Sequence, residues 1–377
     1  MLCALLRSAQ MSNKTIHMPL PGRAYDIVIG EGFYARQACE AVAPIAAGRA
    51  CFIVSDSNVA PPYLESAKAL LLAAGAASVS STVFPAGEES KNLQTLTRLY
   101  SDGVAAGMDR KSLVAALGGG VVGDTAGFFA ASYMRGVEFI QMSTSLVAHV
   151  DSSIGGKTGV DLPEGKNLVG AFHQPKLVMV DVHSLRTLDQ RQLRCGLAEV
   201  VKYGVILDAE FFAFLESEGA KLLDIEGATY SHIVGRCCEL KAQVVLEDEL
   251  DFGLRAILNY GHTFGHALEK LAGYATFTHG EAIAIGMGMA AELALILDPT
   301  AERQDLLRRQ DALLGAIGLP LRCAEYAPEA ILQAMSSDKK YEKGKNRLIV
   351  PDGVGTVHVE ADVDENAILA AIRCRCD

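Results

Sequence analysis

The sequence predicts a two-domain protein in which an α/β amino-terminal half is followed by a mainly α-helical carboxy-terminal half. Up to about residue 187, short β-rich runs alternate with helical patterns, which is typical of a parallel sheet with helices on its faces. Beyond that point, strand patterns nearly vanish until about residue 335. A chain of 377 residues can form two cores. We therefore predict domains at 1–187 and 188–377 that enclose one cleft, with residues 1–11 disordered.

Each predicted element follows from a local pattern. Apolar runs of strand length predict strands at 51–56, 81–84, 112–117, 137–142 and 176–181. Helical windows that stop near a small residue or glycine predict helices at 61–75, 90–106 and 122–131. In the second half helical windows dominate, and two short runs, 347–350 and 356–359, predict a late hairpin.

The composition argues against several classes of protein. A formal net charge of -11 disfavours a nucleic-acid-binding surface, although Lys and Arg that converge locally can still bind an anionic substrate. Nine scattered Cys without a CxxC pair indicate reduced thiols and a cytoplasmic protein. The first apolar run stops at Arg7 and has no basic region before it, which disfavours a signal peptide. The apolar stretch 282–297 is interrupted by Glu292 and predicts a buried helix rather than a membrane span.

Three glycine-framed segments contain candidate metal ligands. They are GLAEVVKYG (196–204), LNYGHTFGHALE (258–269) and THGEAIAIGM (278–287). Glu199, His262 and His279 would form a competent set for a zinc-type ion with one coordination position open. Helical spacing alone instead pairs His262 with His266, four residues apart, and a pair of structural histidines is a further alternative. Glu199 and Lys202 also fit a simple salt bridge, but their apolar neighbours indicate a buried carboxylate that needs a cation.

A second group of motifs lies in the first half. LGGGVVGD (117–124) combines a strand, a glycine turn and a helix start, which suits a dinucleotide pyrophosphate. It lacks the GxGxxG fingerprint, so a plain tight turn remains an alternative. Asp56, after an earlier strand, is placed to meet a ribose hydroxyl. A metal and a nicotinamide on one chain would indicate redox chemistry at a carbinol carbon.

The segment DSSIGGKTG (151–159) resembles a Walker A loop but has Asp151 where the first glycine should stand. Nucleoside triphosphate binding and a flexible glycine turn are both possible interpretations. We favour a loop that delivers Lys157 into a site. Lys166 and Asn167 follow a Pro/Gly turn and can reach a neighbouring pocket.

Taken together, the motifs resemble those of the 3-dehydroquinate synthase family over almost the whole chain. The resemblance rests on the segments already quoted and on GEESK (87–91), ASYMRG (131–136), GKNLVGAFHQP (165–175) and DKK (338–340). It implies a Rossmann-like NAD-binding domain followed by a helical metal- and substrate-binding domain. It also implies one divalent metal, zinc or cobalt, a homodimer, and no nucleic-acid or membrane partner.

The resemblance implies a role for individual residues. It makes Glu199, His262 and His279 the metal ligands, which overrules the spacing argument for His266. NAD contacts would come from Asp56, Gly87, Glu88, Glu89, Ser90, Lys91, Gly120, Val121, Val122, Gly123, Asp124, Thr144, Ser145, Lys157, Lys166, Ser184, Leu185, Arg186 and Thr187. Catalytic groups would be Lys157, Lys202, Arg255, Asn259 and His266. Further substrate contacts would come from Arg135, reaching across a dimer interface, and from Asp151, Asn167, Lys241, Lys339 and Lys340.

The chain departs from the family pattern at several positions. Ser143 and Ser145 stand in what is usually a Pro-Thr-Thr run, and His149 stands where Gln is frequent. Ser145 keeps a hydroxyl, so we expect function to survive. Cys195 beside the metal-binding segment is unusual, and would make the protein sensitive to oxidants.

The family reaction turns 3-deoxy-D-arabino-heptulosonate 7-phosphate into 3-dehydroquinate and phosphate. Transient oxidation of a carbinol by NAD makes the neighbouring C–H acidic, phosphate is eliminated, the hydride returns, and an aldol reaction closes the ring. Three alternatives remain at this point. They are a related sugar phosphate cyclase acting on another heptulose phosphate, a metal-dependent alcohol dehydrogenase, and a non-enzymatic NAD-sensing module.

Overall fold

A computed structural model describes residues 13–273, 276–336 and 346–376. The described residues form two compact units. The first holds the chain up to Thr187 together with Gly227–Ala242, and the second holds Leu188–Glu226 together with the chain from Gln243 onward. The predicted disordered segment 1–11 lies outside the described residues.

The first unit contains one more segment than the domain prediction gave it. The prediction placed 188–377 wholly in the second domain, whereas the structure groups Gly227–Ala242 with the first unit. Polar contacts explain this grouping, because Lys241 bonds to Asp151 and the Cys238 thiol donates to the carbonyl of His149. A helix that appears in sequence among its helical neighbours can therefore pack on the preceding domain.

A seven-stranded sheet is the centre of the first unit. Its strands are β1 (Lys14–Met18), β2 (Tyr25–Gly30), β3 (Ala50–Asp56), β4 (Ser78–Phe84), β5 (Leu113–Gly118), β6 (Glu138–Ser143) and β9 (Leu177–Asp181). They lie in the order β1-β2-β9-β6-β5-β3-β4, and every pair is parallel except β1 with β2. All five predicted strands of the first half are present. The sequence patterns missed β1, β2 and an antiparallel hairpin formed by β7 (Lys157–Leu162) and β8 (Gly165–Phe172).

The central strands of the sheet are buried on both faces. Cys51 and Ile53 of β3 belong to the apolar cluster on one face, and Phe52 and Val54 belong to the cluster on the other. Such alternation with both sides apolar explains why β3 reads as a continuous hydrophobic run. The covering helices are α1 (Phe33–Arg36), α2 (Ala43–Ala46), α3 (Ala60–Ala73), α4 (Leu93–Ala105) and α5 (Gly120–Ser132). The first 16 residues of α8 (Gly227–Glu247) belong to the same unit. The three predicted helices correspond to α3, α4 and α5.

The second unit is mainly helical. Its helices are α6 (Gln190–Leu207), α7 (Ala209–Glu218), α9 (His262–Leu271), α10 (His279–Leu297), α11 (Ala301–Ala316), α12 (Pro328–Ser336) and α13 (Glu365–Cys376). The predicted hairpin is present as β10 (Arg347–Gly353) and β11 (Thr356–Ala361).

Among the described residues, only α10 is long and apolar enough to cross a membrane, and 72% of its most apolar window is buried within the protein. It packs against α6, α9, α11 and α13.

Candidate functional site

Three side chains of the second unit converge on one point. Glu199 lies on α6, His262 is the first residue of α9, and His279 is the first residue of α10. The Nε2 atoms of His262 and His279 lie 3.4 and 3.2 Å from the same oxygen, Oε1 of Glu199. One ligand atom from each residue lies within 4.8 Å of the others. The sequence motifs expected these three residues to share a centre, and the structure brings them together.

A hydrogen bond of the His262 ring determines that the unprotonated nitrogen of this ring faces Glu199. Nδ1 of His262 lies 3.0 Å from the carbonyl oxygen of Tyr260, which can only accept, so the neutral ring carries its proton on Nδ1. Burial lowers the pKa of His262 to about 4, although Glu199 acts in the opposite sense. The Nε2 lone pair of a neutral ring therefore faces a carboxylate oxygen, and this arrangement needs a cation between the two atoms.

The Glu199 carboxylate is ionised although it is 1% exposed. Burial by itself would raise the pKa of Glu199, but the adjacent Lys202 ammonium and a hydrogen bond from His279 hold that pKa well below its usual range. Lys202 is equally buried and forms an ion pair with Oε2 of Glu199. Apart from Lys202 and the two imidazoles, no described residue satisfies either carboxylate oxygen. One carboxylate and two imidazole nitrogens around an unsatisfied centre fit a divalent ion of the zinc type.

Glu269 supports His279 from the other side of its ring. Oε2 of Glu269 lies 3.3 Å from Nδ1 of His279, and Glu269 is 3% exposed. Burial opposes protonation of His279, but hydrogen bonds to Glu199 and Glu269 raise its pKa well above the ordinary value. The raised pKa favours a proton between His279 and Glu199, and a divalent ion would replace that proton. Metal-bound histidines commonly donate their second N–H to a carboxylate.

His266 takes a different position from the one that spacing suggested. Its Nε2 lies 4.0 Å from Glu269, and its side chain is 41% exposed. The group of ligand atoms around Glu199 does not include it. Helical spacing placed His262 and His266 on one face correctly, but α10 supplies the second imidazole.

Local sequence features position the metal-binding segments. Thr278 and Glu281 form a capping box at the start of α10, and Arg191 of α6 holds the Glu281 carboxylate with contacts of 2.8 and 2.7 Å. Gly280 approaches α6 so closely that an added Cβ would lie 2.3 Å from the carbonyl oxygen of Cys195. The Cys195 thiol accepts the Gly280 N–H at 3.1 Å. The motif analysis missed the capping box, although the T-x-x-E signature was present in the sequence.

The glycine motif of the first unit is a strand–turn–helix, as the sequence predicted. β5 ends at Gly118 and α5 begins at Gly120. An added Cβ on Gly119 would lie 3.1 Å from Oγ of Ser145, and one on Gly123 would lie 2.9 Å from Gln141. The free N–H groups and positive dipole end of α5 lie at this turn. The arrangement is able to bind a phosphate group.

The other predicted cofactor residues follow the carboxyl ends of neighbouring parallel strands, where ligands of such sheets bind. Asp56 ends β3 and accepts the N–H groups of Asn58 and Val59. The remaining residues lie after β4 (Gly87, Glu88, Glu89, Ser90, Lys91), in α5 (Gly120, Val121, Val122, Gly123, Asp124), after β6 (Thr144, Ser145) and after β9 (Ser184, Leu185, Arg186, Thr187). The carboxyl-end loops of β3, β4, β5, β6 and β9 therefore lie along one edge of the sheet.

One largely buried ion pair and one partly exposed ion pair fix part of this edge. Nζ of Lys91 lies 2.6 Å from both Asp124 and Asn167. Burial would lower the pKa of Lys91, but Asp124 and Glu88 outweigh it and raise that pKa. Lys166 lies 3.3 Å from Glu88. Lys91, a predicted cofactor residue, therefore contacts both Asp124 and Asn167, and the resemblance assigned Asn167 to the substrate.

The predicted substrate residues are divided between the two units. In the first, Nζ of Lys241 lies 2.8 Å from the carboxylate of Asp151 and 2.6 Å from its carbonyl oxygen. Lys157 begins β7, and Arg135 has a left-handed backbone with φ 69°. In the second unit, Arg255 donates to the carbonyl of Glu249, and Asn259 donates to that of Ala256. Lys339 and Lys340 lie outside the described residues.

Two protein-family models match consecutive parts of the chain. The one described as 3-dehydroquinate synthase N-terminal matches residues 81–195, and the one described as 3-dehydroquinate synthase C-terminal matches residues 196–341. A relative from Pelobacter propionicus named 3-dehydroquinate synthase is 47% identical over 332 residues, which make up 88% of this chain and 91% of that protein.

Two solved structures are similar over most of both chains. A 2-deoxy-scyllo-inosose synthase complexed with carbaglucose-6-phosphate, NAD+ and Co2+ is 28% identical, with a TM-score of 0.85 over 97% of this chain and 100% of that one. The 2-epi-5-epi-valiolone synthase ValA from Streptomyces hygroscopicus subsp. jinggangensis 5008, with NAD+ and Zn2+ bound, is 29% identical. Its TM-score is 0.83 over 93% of this chain and 96% of that one.

Proposed function

The chain belongs to the 3-dehydroquinate synthase family, and from this premise we propose that it converts 3-deoxy-D-arabino-heptulosonate 7-phosphate into 3-dehydroquinate and phosphate. It is an enzyme, a carbon–oxygen lyase that acts on a phosphate ester. The observation that carries the proposal is the convergence of Glu199, His262 and His279, whose ligand atoms lie within 4.8 Å of one another. The two-unit fold, with an α/β part and a helical part, agrees with this family.

The proposed cofactors are NAD and one divalent ion, zinc or cobalt. When bound, they would supply a reversible hydride transfer at the substrate carbinol and Lewis acidity at its oxygen. Glu199, His262 and His279 would hold the ion, and the glycine turn before α5 would hold the pyrophosphate of NAD. The mixed nitrogen and oxygen donor set suits both metals. Two similar proteins bind NAD+ together with Co2+ or Zn2+, which supports the pairing.

Lys202 supplies a fixed positive charge next to the proposed metal ligands. Its ammonium group is 1% exposed and contacts Glu199. A charge in such a dry environment acts on its neighbours more strongly than it would in water. We infer that Lys202 stabilises the negative charge that develops on the substrate oxygen during turnover.

Other side chains of the two units would hold the anionic ends of the substrate. Asp151 fixes the ammonium group of Lys241 through two contacts, so that Lys241 presents its charge in one place. Lys157 at the start of β7 would add a second cation in the same unit. In the second unit, His266, Asn259 and Arg255 would contact the substrate. Lys and Arg groups recognise carboxylate and phosphate by charge-assisted hydrogen bonds.

One alternative substrate has specific support. The two similar solved structures are synthases that carry other names, so a related cyclase reaction on another heptulose phosphate is the second candidate. The greater identity to a 3-dehydroquinate synthase, 47% against 28% and 29%, favours the first. A panel of heptulose phosphates would separate the two candidates by their kcat/KM values.

We also propose that the enzyme is a cytoplasmic homodimer. The family resemblance supports the dimer. All eight cysteines in the described part of the chain are free thiols, which supports a reducing compartment. Sedimentation equilibrium would test the dimer.

The central experiment is a phosphate-release assay on the purified protein with NAD and added zinc or cobalt. We expect phosphate from 3-deoxy-D-arabino-heptulosonate 7-phosphate without net accumulation of NADH. A chelator should abolish release, and the metal should restore it. Net NADH formation without phosphate would instead indicate a dehydrogenase, and absence of any turnover with both metals would overturn the proposal.

A further inference from the structure

A cavity of about 630 Å³ lies in the first unit at the amino-terminal edge of the parallel sheet. Residues at the starts of four adjacent strands line it. Arg49 precedes β3, Lys111 lies before β5, Glu138 begins β6, and Lys176 precedes β9. The glycine turn follows the opposite end of β5, a strand of six residues and therefore about 20 Å away. The cavity is separate from the proposed cofactor edge.

Positive charge is concentrated around this cavity although the protein as a whole is acidic. Its cationic lining residues are Arg23, Arg49, Arg110, Lys111 and Lys176, and Glu138 is the only carboxylate of the lining. Arg49 lies 2.5 Å from Glu138 and Lys176 lies 3.1 Å from it, so these two cations share one negative charge. Arg49 also donates to three backbone carbonyl groups, those of Ile45, Lys111 and Ser112, and is thus a structural residue.

Of the three remaining cations, Arg23, Arg110 and Lys111, the last two are neighbours on one turn. Both are exposed, and neither side chain has a hydrogen-bond or ion-pair partner among the described residues. The nearby Asp109 carboxylate accepts the Lys111 N–H and the Ser112 hydroxyl, both at 2.9 Å, so it is used to form the turn. A guanidinium and an ammonium on one turn can pair with the oxygens of one phosphate group.

Part of the lining is apolar and held in place. It contains Val137, Phe172 and Pro175. His173 stacks on Phe139 with ring centroids 5.2 Å apart, and its Nε2–H donates to the carbonyl of Val137 at 2.8 Å. These contacts fix the segment on which Phe172 stands with its ring 43% exposed. A wall of this kind favours a ligand with a carbon skeleton over a bare inorganic ion.

We propose that this cavity binds a small organic phosphate at a site distinct from the catalytic residues. The phosphate oxygens pair with Arg110 and Lys111, and the carbon skeleton lies against Val137 and Phe172. The volume fits a ligand of metabolite size, since small-molecule sites commonly measure about 300–1,000 Å³.

Titration calorimetry of the holoenzyme with 3-phosphoglycerate as the probe tests this proposal. The variant Arg110→Gln/Lys111→Gln removes the two cations that have no partner and leaves Arg49 in place. Arg36→Gln/Arg98→Gln removes the same charge from exposed positions outside the cavity and is the matched control. We expect the cavity variant to weaken binding at least tenfold, the control to bind within twofold of wild type, and glycerate not to bind. Hydrogen exchange should slow in 136–138 and 172–176 on ligand addition.

Two results would overturn the proposal. One is equal affinity in the wild type and the cavity variant, and the other is exchange protection confined to the catalytic segments. Phosphate-release activity of the cavity variant is measured alongside and should stay near that of wild type. A failed catalytic assay together with cavity binding would reject only the proposed function, and the reverse result would reject only this inference.

Discussion

Oε2 of Glu269 lies 3.3 Å from Nδ1 of His279, on the edge of the imidazole ring that faces away from Glu199. This contact orients the ring and sets which nitrogen is available to a metal. Partners of this kind commonly contribute 10–100-fold to metal affinity. Glu269→Gln keeps the shape of the side chain and removes its charge. We expect this variant to bind zinc roughly 10–100-fold more weakly, measured by competition with a chromophoric chelator.

Glu302→Gln serves as the control for that measurement, because Glu302 is an exposed residue of α11. It should bind zinc like the wild type. Unchanged zinc affinity in Glu269→Gln would show that the contact is only a packing feature of α9 and α10.

The sequence was sufficient for elements whose signal is local. β3 and β5 are buried on both faces, and their sequences are continuous apolar runs. The turn before α5 consists of consecutive glycines, which the sequence shows directly. The β7–β8 hairpin was missed because its pairing depends on backbone contact between glycines. An added Cβ on Gly170 would lie 2.1 Å from the carbonyl oxygen of Thr158, and one on Gly159 would lie 2.7 Å from that of Val169. Residues with no side chain give no periodicity to detect.

Sequence periodicity was also insufficient to predict the proposed metal ligands. Spacing within one helix could pair His262 with His266, but the third ligand lies on another helix, and periodicity does not report how α6, α9 and α10 pack. The family resemblance supplied His279 where spacing could not. Glu269 and Arg191 became recognisable as supporting residues only when the helices were seen side by side.

His149 should make the stability of the protein depend on pH. It is fully buried, its Nε2–H donates to the carbonyl of Ser143 at 3.1 Å, and its Nδ1 has no hydrogen-bond partner. Burial lowers its pKa to about 4, whereas an imidazole in the unfolded chain titrates near 6.5. Between these two values the unfolded state binds more protons, so its population rises as the pH falls.

The stabilising contribution of neutral His149 is therefore complete above about pH 6.5 and is lost as the pH falls toward 4. The slope should reach about 1.4 kcal/mol per pH unit for this one group. His149→Gln cannot titrate, and urea unfolding at several pH values between 6.5 and 4 should give it a shallower slope than wild type. Equal slopes in the two proteins would mean that the pKa of His149 is the same in the folded and unfolded states.

Gly286 of α10 should not tolerate a side chain. An added Cβ would lie 2.1 Å from the carbonyl oxygen of Gly261 and 2.8 Å from the backbone nitrogen of Gly265. Both neighbours are backbone atoms at the start of α9, so relief requires α9 and α10 to separate. We expect Gly286→Ala to destabilise the protein by more than about 3 kcal/mol and to weaken zinc binding, measured by denaturant unfolding and by metal content.

The matched control is Gly315→Ala, because Gly315 also lies within a helix. Its added Cβ would meet only Leu321, at an ordinary contact distance of 3.8 Å. Alanine is the better helix former, so this variant should be more stable than wild type by about 0.5–1 kcal/mol. Equal stability changes at the two positions would contradict the idea that close approach of α9 and α10 requires glycine.

Zinc should stabilise the folded protein through Glu199, His262 and His279 but not through His266. An ion that binds only the native state stabilises it by about 2.7 kcal/mol when its concentration is a hundredfold above Kd. The variants His262→Ala and His279→Ala should lose this zinc-dependent rise in Tm. His266→Ala should retain the rise, because His266 is turned toward Glu269 and lies outside the group around Glu199. Thermal unfolding of chelated and zinc-loaded samples by circular dichroism measures the effect without any need for turnover. The opposite result would be a zinc response that is lost in His266→Ala and persists in His279→Ala. It would replace the proposed ligands with the pair His262 and His266, which helical spacing alone suggests.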